Sequence, residues 1–344
     1  MNAQTNDGPA LSQPLTVAWR YETSQTTDLT PGYDDHTVFV PLSGGVLIAL
    51  NATDGKLLWR AETGGDFSAS PAVDDRSVYS ATRYSEPVEK YTHGTLRAIS
   101  KTTGVTLWMR TLPSPLAGGL SVAGTALIGA SVDGHLYAFD RQSGLVIWSN
   151  EYGEEFSAPP MVAGNAVYVG SNAGVMRSLN AQTGALLWQY KTHGAIHGRA
   201  SAAGDVAYFG STDDYVYAFS DLKKKLLWRR RTGAAVEAVE VVEPGLLVSS
   251  LDNYAYLLSL NKGALIWRRQ LPGRISARPV TAGDGALFTP FSTDAAIVLN
   301  PHDGKPVNTL TLGEENSSAA APILVANFVV ITAPHAVLAF AAPK

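Results

Sequence analysis

The ionisable residues whose spacing suggests chemistry are His197, Arg199, Glu237 and Arg278. Two of them follow a tryptophan by nine residues and the other two follow one by eleven. After most other tryptophans, small residues stand at these distances. Two interpretations stay open. The charges neutralise one another in an internal Arg199–Glu237–Arg278 cluster, or they form a surface in a central channel that binds a partner or ligand.

The seven tryptophans that set this register recur at a nearly constant interval. Successive gaps are 40, 49, 40, 40, 40 and 39 residues. The clearest copies share the phrase Leu-Asn-Ala-x-(Thr/Asp)-Gly-x-Leu-Leu-Trp, and an eighth copy ends on Asn308 where tryptophan is due. A period near 40 residues is typical of architectures that repeat one small unit. The tryptophans are Trp19, Trp59, Trp108, Trp148, Trp188, Trp228 and Trp267.

Each unit predicts four short strands. In residues 156–192, runs of β-branched and aromatic residues alternate with Gly, Asn, Asp and Ser turns, which is typical of consecutive hairpins. No stretch has a sustained 3.6-residue periodicity, so almost no helix is expected. One four-stranded antiparallel sheet per 40 residues is typical of a β-propeller blade.

The two ends of the chain complete one another. Residues 15–22 predict an isolated fourth strand, and residues 318–341 predict three strands without a fourth. Pairing them would hide both sheet edges. We therefore predict an all-β fold, a single eight-bladed β-propeller over residues 15–341 whose last blade is shared between the termini. Residues 1–14 are mostly small and polar and predict a flexible lead-in.

The tryptophans and an insertion have structural interpretations. A large aromatic residue at the end of every unit predicts packing between neighbouring blades, with each indole N–H bonded to backbone.

The one longer gap between tryptophans places nine extra residues around positions 83–93. A charged surface loop is expected there.

Composition narrows the classes of partner. The net charge is −4 and the isoelectric point is near 6.0, so no nucleic-acid partner is expected. The chain has no cysteine, which excludes disulfides, thiolate metal sites and cysteine nucleophiles. No signal segment is predicted in this chain. The most apolar stretch, residues 319–342, has strand-like spacing, so no membrane span is expected. We expect a monomer.

The sequence contains none of the common catalytic signatures. No His-Glu-x-x-His, phosphate-binding glycine loop, nucleophile elbow or EF-hand loop occurs. His193 and His197 are four apart, but on strand and turn that spacing does not place two metal ligands on one face. Asp74 and Asp75 fall in a predicted turn, where Asp is favoured for turn geometry alone. No catalytic residue and no metal ligand is predicted.

The phrase Ala-x-(Thr/Asp)-Gly-x-x-x-Trp at this period resembles the PQQ-like (quinoprotein-like) repeat, from about residue 15 to residue 340. The resemblance implies an eight-bladed propeller whose tryptophans dock between blades. Quinone-dependent dehydrogenases of that family carry long insertions, an adjacent cysteine pair and calcium-ligating Glu, Asn and Asp. Here cysteine is absent and most units have no long insertion between their strands. Neither PQQ nor calcium is therefore expected as a cofactor.

Within this family, the compact members without insertions are similar to outer-membrane assembly factors. That similarity implies a non-catalytic protein-binding scaffold of the periplasm or cell envelope, with outer-membrane β-barrel assembly components as partners. This chain lacks the lipidated N-terminal cysteine of that group and any matching pattern of partner-binding loops. Two alternatives remain: a small-ligand-binding or sensor propeller that uses the charged residues, and, more distantly, a PQQ-dependent oxidoreductase.

Overall fold

A computed structural model describes residues 8–23, 26–85, 92–291, 293–313 and 318–343. These residues form thirty-two β-strands and no helix, as their closely spaced turn residues predict. The prediction of an all-β fold built from four-stranded antiparallel units is confirmed.

The strands follow one another in sets of four after β1 (Thr16–Glu22). The sets in the first half of the chain are β2 (Gly32–Tyr33), β3 (Thr37–Leu42), β4 (Val46–Asn51) and β5 (Leu57–Glu62); β6 (Asp66–Val73), β7 (Ser77–Ser85), β8 (Thr92–Ser100) and β9 (Thr106–Leu112); β10 (Leu116–Ala123), β11 (Ala126–Ser131), β12 (His135–Asp140) and β13 (Val146–Glu151); and β14 (Met161–Ala163), β15 (Ala166–Gly170), β16 (Val175–Asn180) and β17 (Leu186–Lys191). Those in the second half are β18 (Ser201–Ala203), β19 (Val206–Gly210), β20 (Tyr215–Ser220) and β21 (Lys225–Arg231); β22 (Val236–Val242), β23 (Gly245–Ser250), β24 (Tyr254–Leu258) and β25 (Leu265–Gln270); β26 (Val280–Ala282), β27 (Gly285–Phe288), β28 (Ala295–Leu299) and β29 (Pro306–Thr311); and finally β30 (Ile323–Val325), β31 (Phe328–Ala333) and β32 (Ala336–Ala341).

Most sets form a sheet of their own in sequence order. Two neighbouring sets, β6–β9 and β10–β13, join into one eight-stranded sheet through a short parallel pairing of β6 with β10. The last three strands are completed by the first, because β1 pairs antiparallel with β32. Their register runs from Thr16 opposite Ala341 to Glu22 opposite Ala336. The first and last strands of the chain therefore share one sheet.

The chain divides into two compact units, one of residues 1–30, 52–56 and 200–344 and the other of residues 31–51 and 57–199. Inside each unit, hydrophobic clusters combine residues of consecutive sheets. Ile128 packs with Val167 in one unit, and Val216 packs with Val248 in the other. Second and third strands are buried on both faces, which explains why apolar residues occupy successive positions in them.

Several fourth strands expose two apolar residues in a row before the tryptophan. Leu186 and Leu187 are 48% and 40% exposed, whereas Trp188 is 6% exposed. Ser178 pairs with Trp188 and Leu179 pairs with Leu186, so Leu187 is the extra residue of a β-bulge that interrupts the alternation of faces. The same shift in register precedes Trp59, Trp108, Trp148, Trp228 and Trp267.

The segment before β1 corrects the flexible lead-in predicted over residues 1–14. Leu11 is completely buried in the cluster formed by β26–β29 and β30–β32. Asn308 donates its side-chain amide to the carbonyl oxygens of Leu11 and Gln13, at 3.0 and 2.6 Å. Asparagine at the tryptophan position supplies the donor that binds this segment. The prediction of flexibility is therefore wrong for residues 9–13. Residues 1–7 lie outside the described residues.

The nine-residue insertion differs from the predicted surface loop around residues 83–93. In the structure, β7 continues to Ser85 and β8 begins at Thr92. Tyr84 pairs with His93 in the register of this hairpin, and their rings stack with centroids 5.0 Å apart. The described part of the insertion therefore lengthens two strands, and residues 86–91 lie outside the described residues.

Candidate functional site

Six of the seven tryptophans make the same polar bond from one strand set to the next. Trp267 donates its indole N–H to the carbonyl oxygen of Pro301 at 2.9 Å, and Trp228 donates to that of Leu260 at 2.8 Å. Four others, Trp19, Trp59, Trp108 and Trp148, donate to the carbonyls of Ala52, Lys101, Arg141 and Ala181 at 2.8–3.0 Å. An enclosed indole N–H needs an acceptor, and the turn after the third strand of the next set provides one.

The glycine of the repeated phrase lies against the preceding tryptophan ring. Gly304 has a φ of +68°, and a Cβ built on it would lie 2.6 Å from the ring of Trp267. Gly263 has the same relation to Trp228, at 2.5 Å. A left-handed backbone and a ring in contact together select glycine here. In the turn before β21, Lys224 stands in the glycine position and keeps a φ of +50°.

The structure places the four predicted charged residues in or beside the first strands of their sets. His197 and Arg199 lie in the connection between β17 and β18, the histidine exposed and the arginine half-buried. Glu237 lies in β22 and Arg278 lies just before β26, and both are half-buried. The first pair belongs to one compact unit and the second pair to the other. A joint cluster of all four stays a prediction.

Arg278 binds a carboxylate outside the predicted cluster. Its Nε donates to Oε2 of Glu240, whose side chain is 17% exposed against 38% for the arginine. Glu240 follows Trp228 by twelve residues and lies three positions after Glu237 in β22. A register shift between Val236 and Ala238 marks a bulge at Glu237, which the repeat spacing does not reveal. Glu240 joins the candidate residues.

A second polar arrangement centres on Asp74. Its Oδ1 accepts hydrogen bonds from the backbone N–H groups of Arg76 and Ser77, both at 2.8 Å, which is the turn role expected of this aspartate. Its Oδ2 accepts from the hydroxyl of Tyr79 at 2.7 Å and from the guanidinium of Arg141. Burial opposes ionisation, but these hydrogen bonds and the arginine charge lower the pKa of Asp74 overall.

The same pairing occurs one repeat earlier. Lys101 lies 2.9 Å from the carboxylate of Asp34, and the carbonyls of Lys101 and Arg141 are those that bind Trp59 and Trp108. A cleft of about 590 Å³ lies beside Asp74, Tyr79, Trp108 and Arg141. Because the ion pair recurs with the tryptophan bond, we interpret it as a link between consecutive sheets.

A third arrangement is a nearly buried ion pair. Arg177 in β16 is 4% exposed and donates to both carboxylate oxygens of Glu154, at 2.8 and 3.1 Å. Ser171 donates to the same carboxylate at 2.6 Å. The guanidinium lies over the ring of Tyr152, 4.2 Å from its centroid. Two parallel charge-assisted bonds and a ring face hold the arginine in one orientation.

The Glu154 pair predicts a pH dependence of stability. Bonding to Arg177 lowers the pKa of Glu154 below its ordinary value of 4.5, and the bond from Ser171 adds to this, against the effect of burial. A lowered carboxyl pKa stabilises the folded state above pH 4.5, and the contribution is lost as pH falls through the lower folded value. The difference in unfolding free energy between the native chain and Glu154→Gln should therefore shrink below pH 4.5 in urea titrations. A constant difference from pH 7 to pH 3 would contradict this account.

Sequence reasoning missed Arg177 although a signal was present. Arg97 in β8 and Arg177 in β16 each precede a tryptophan by eleven residues and interrupt apolar third strands. Both are buried. Arg97 donates to the hydroxyls of Thr82 and Tyr84, at 3.2 and 3.1 Å. A recurrent arginine inside an otherwise apolar strand indicates a satisfied internal partner.

The described residues hold no group of three His, Asp or Glu side chains close enough to bind a metal ion. No helix among them is long and apolar enough to cross a membrane.

The repeated four-stranded sheets, linked by docked tryptophans, define a PQQ-like repeat protein of the propeller class. A family model described as outer membrane protein assembly factor BamB matches residues 10–91, 92–241 and 192–342. The chain therefore belongs to this family.

Sequence relatives are similar over short segments. A tetrathionate hydrolase of Acidithiobacillus ferrooxidans is 28% identical over 97 residues, which make up 28% of this chain and 18% of the relative. An outer membrane protein assembly factor BamB of Shewanella oneidensis is 33% identical over 88 residues, 26% of this chain and 19% of the relative. The matched segments thus span less than a fifth of these relatives.

Solved structures are similar over nearly the whole chain. BamB from Moraxella catarrhalis has a TM-score of 0.79 at 17% identity, covering 96% of this chain and 98% of that one. A quinohemoprotein alcohol dehydrogenase from Pseudomonas putida has a TM-score of 0.79 at 13% identity, covering 95% of this chain and 76% of that one. At these identities the likeness concerns the fold alone.

Proposed function

We propose that this protein is a non-catalytic, protein-binding scaffold of the cell envelope whose partners are outer-membrane β-barrel assembly components. The observation that carries the proposal is the match of the BamB family model from residue 10 to residue 342. A segment of 88 residues that is 33% identical to an outer membrane protein assembly factor BamB supports it.

The proposal includes the finer architecture. Eight sets of four strands, the last completed by β1, support a single-domain, eight-bladed propeller over residues 15–341 that acts as a monomer in the periplasm. It would need neither PQQ nor calcium.

The candidate partner-binding residues are His197, Arg199, Glu237 and Arg278. Arg199 and Arg278 are half-buried in the connections that lead into first strands. A guanidinium group binds a carboxylate through two parallel hydrogen bonds, which favours an acidic segment of a partner. We therefore assign these arginines the largest share of partner recognition.

Charge reversal at both arginines should weaken partner capture. Arg199→Glu/Arg278→Glu would repel an acidic segment, while the free energy of unfolding should change by only about 1–2 kcal/mol. The measurement is affinity capture from a cell-envelope extract, read by mass spectrometry. Lys191→Glu/Arg274→Glu is the matched control, since it makes the same charge change at exposed residues nearby.

Three outcomes would contradict parts of this proposal. A large loss of stability in the Arg199→Glu/Arg278→Glu variant would assign these arginines to an internal ion-pair cluster. Capture of no assembly protein by the native chain would favour a small-ligand-binding role. The fold likeness to a quinohemoprotein dehydrogenase keeps the oxidoreductase alternative testable, and calcium-dependent binding of PQQ in a fluorescence titration would favour it.

A further inference from the structure

One flank of the protein carries an exposed row of basic residues. The basic ridge, as we call it, consists of the lysines at 223–225, the arginines at 229–231, Lys262 and Arg268, and all eight are exposed. They lie on two outer strands, β21 and β25, and in the turns before them. The whole chain has 26 Lys and Arg and a net charge of −4. The ridge is therefore a local excess of positive charge on an acidic protein.

The two strands of the ridge are neighbours. Trp228 of β21 donates its indole N–H to the carbonyl oxygen of Leu260, two residues before Lys262. That bond places the turn before β25 beside β21. Both strands are the last of their sheets, so their outer edges have no strand partner within the sheet. The basic residues therefore lie on the outer strands of two neighbouring sheets and in the turns before them.

Several basic residues of other outer strands pair with carboxylates. Four basic residues on three other outer strands, or in the turns before them, have a carboxylate within 2.6–4.0 Å: Arg20 with Glu22, Lys56 with Asp54, Arg60 with Glu62 and Lys305 with Asp303. Among the ridge residues, only Arg231 forms an ion pair in the described part of the chain, at 3.6 Å from Asp214. Most ridge residues thus lack the carboxylate partner that basic residues have on these three strands.

Two ridge arginines are held in place by aromatic rings. The guanidinium of Arg229 lies 4.8 Å from the ring centroid of Tyr215, and that of Arg268 lies 5.3 Å from the ring centroid of Tyr254. Stacking on a ring face orients a guanidinium while leaving its N–H groups at the surface. These two charges are therefore preorganised for an anionic partner.

The turn before β21 departs from the repeated phrase at three consecutive positions, residues 222–224. Leu222 is 78% exposed, more than any other large hydrophobic residue in the described chain. The equivalent positions elsewhere are polar: Thr53, Thr102, Gln142, Gln182, Asn261 and His302. Lys223 replaces the capping Asp, Thr or Ser of most other copies, and Lys224 replaces the glycine at positive φ. A lysine in the left-handed region is less stable than the glycine it replaces, because its Cβ crowds the following carbonyl oxygen.

We infer that the basic ridge is a docking surface for an anionic phospholipid membrane, with Leu222 inserting at the headgroup boundary. An exposed apolar tip flanked by three lysines, beside four further unpaired basic residues, combines the two forces that hold proteins at such surfaces. An acidic polypeptide would match the charge but would not explain why the most exposed large hydrophobic residue lies beside it. The inference does not depend on the protein partner proposed above.

Vesicle binding tests the inference. The purified chain should co-sediment with vesicles of phosphatidylglycerol and phosphatidylcholine, but not with vesicles of phosphatidylcholine alone, and the binding should weaken as salt is raised. Lys223→Gln/Lys225→Gln/Arg230→Gln removes three unpaired charges and should reduce the partition coefficient on the order of a hundredfold. Arg20→Gln/Lys56→Gln/Arg60→Gln, which removes three paired charges from other outer strands, should leave binding nearly unchanged.

A second variant separates binding from folding. Lys224→Gly removes one ridge charge and relieves the left-handed lysine, so it should raise the melting temperature while lowering vesicle binding about fivefold. A merely structural role for this turn would move both quantities in the same direction. Binding that rises with stability would overturn the inference.

Since the chain has no cysteine, Leu222→Cys can carry a single environment-sensitive fluorophore. Its emission should shift to the blue on addition of phosphatidylglycerol vesicles, whereas the same label at Gln182→Cys, the equivalent exposed turn position, should not respond. The inference is overturned if neither label responds, if both respond equally, or if vesicles fail to bind the native chain. Vesicles contain no protein, so such a failure leaves the proposed assembly partner untouched.

Discussion

Replacing Trp267 by alanine is expected to lower the free energy of unfolding by about 3–5 kcal/mol. The ring is 9% exposed, lies against Gly304 and donates its N–H to the carbonyl of Pro301. Its removal leaves a cavity and an unpaired carbonyl where two consecutive sheets meet. Urea unfolding followed by tyrosine fluorescence and circular dichroism measures the change.

Ile266→Ala is the matched control for this prediction. Ile266 precedes Trp267 on the same strand but is 46% exposed, so truncation should cost less than about 1 kcal/mol. If both variants lost equal stability, the tryptophan bond would be incidental and the outer strand as a whole would hold the sheets together. A loss confined to Trp267→Ala supports docking by the repeated phrase.

Replacing Arg177 by methionine is expected to lower the free energy of unfolding by about 3 kcal/mol, because it removes one partner of a nearly buried ion pair. Methionine fills much of the space, but it leaves the Glu154 carboxylate, which is 22% exposed, without the guanidinium and still bonded to the hydroxyl of Ser171. An unpaired carboxylate in a poorly solvated site is more costly than the loss of the pair itself. The midpoint of urea unfolding at pH 7 reports the effect.

Arg97→Met is the control that the repeat provides. Arg97 occupies the equivalent third-strand position, but it donates to two hydroxyl groups, so its loss leaves no buried charge and should cost only about 1–2 kcal/mol. The double variant Glu154→Gln/Arg177→Met should recover part of the stability lost in Arg177→Met. Additive losses in that cycle would mean that the two side chains act independently.

The strand pattern was predictable because it depends on local chemistry. Turn residues at short intervals and β-branched runs between them specify hairpins without reference to the rest of the chain. The spacing of the tryptophans indicated how many sets of strands the chain forms and where the fourth strand of each set lies. The pairing of Arg278 with Glu240 was less accessible, since a bulge at Glu237 changes which residues share a face.

By itself, the sequence determined the class of fold, the repeat register and the positions of the docked tryptophans, because each of these follows from residue type at a fixed spacing. Only the tertiary structure decided which charges are compensated. The Glu154–Arg177 pair and the burial of Leu11 beneath the last repeat join residues through contacts between strands or sheets. Among the described ridge residues, only Arg231 has an ion-pair partner. Whether a charge has a partner depends on neighbours in space, and the periodicity of a single chain does not encode that distance.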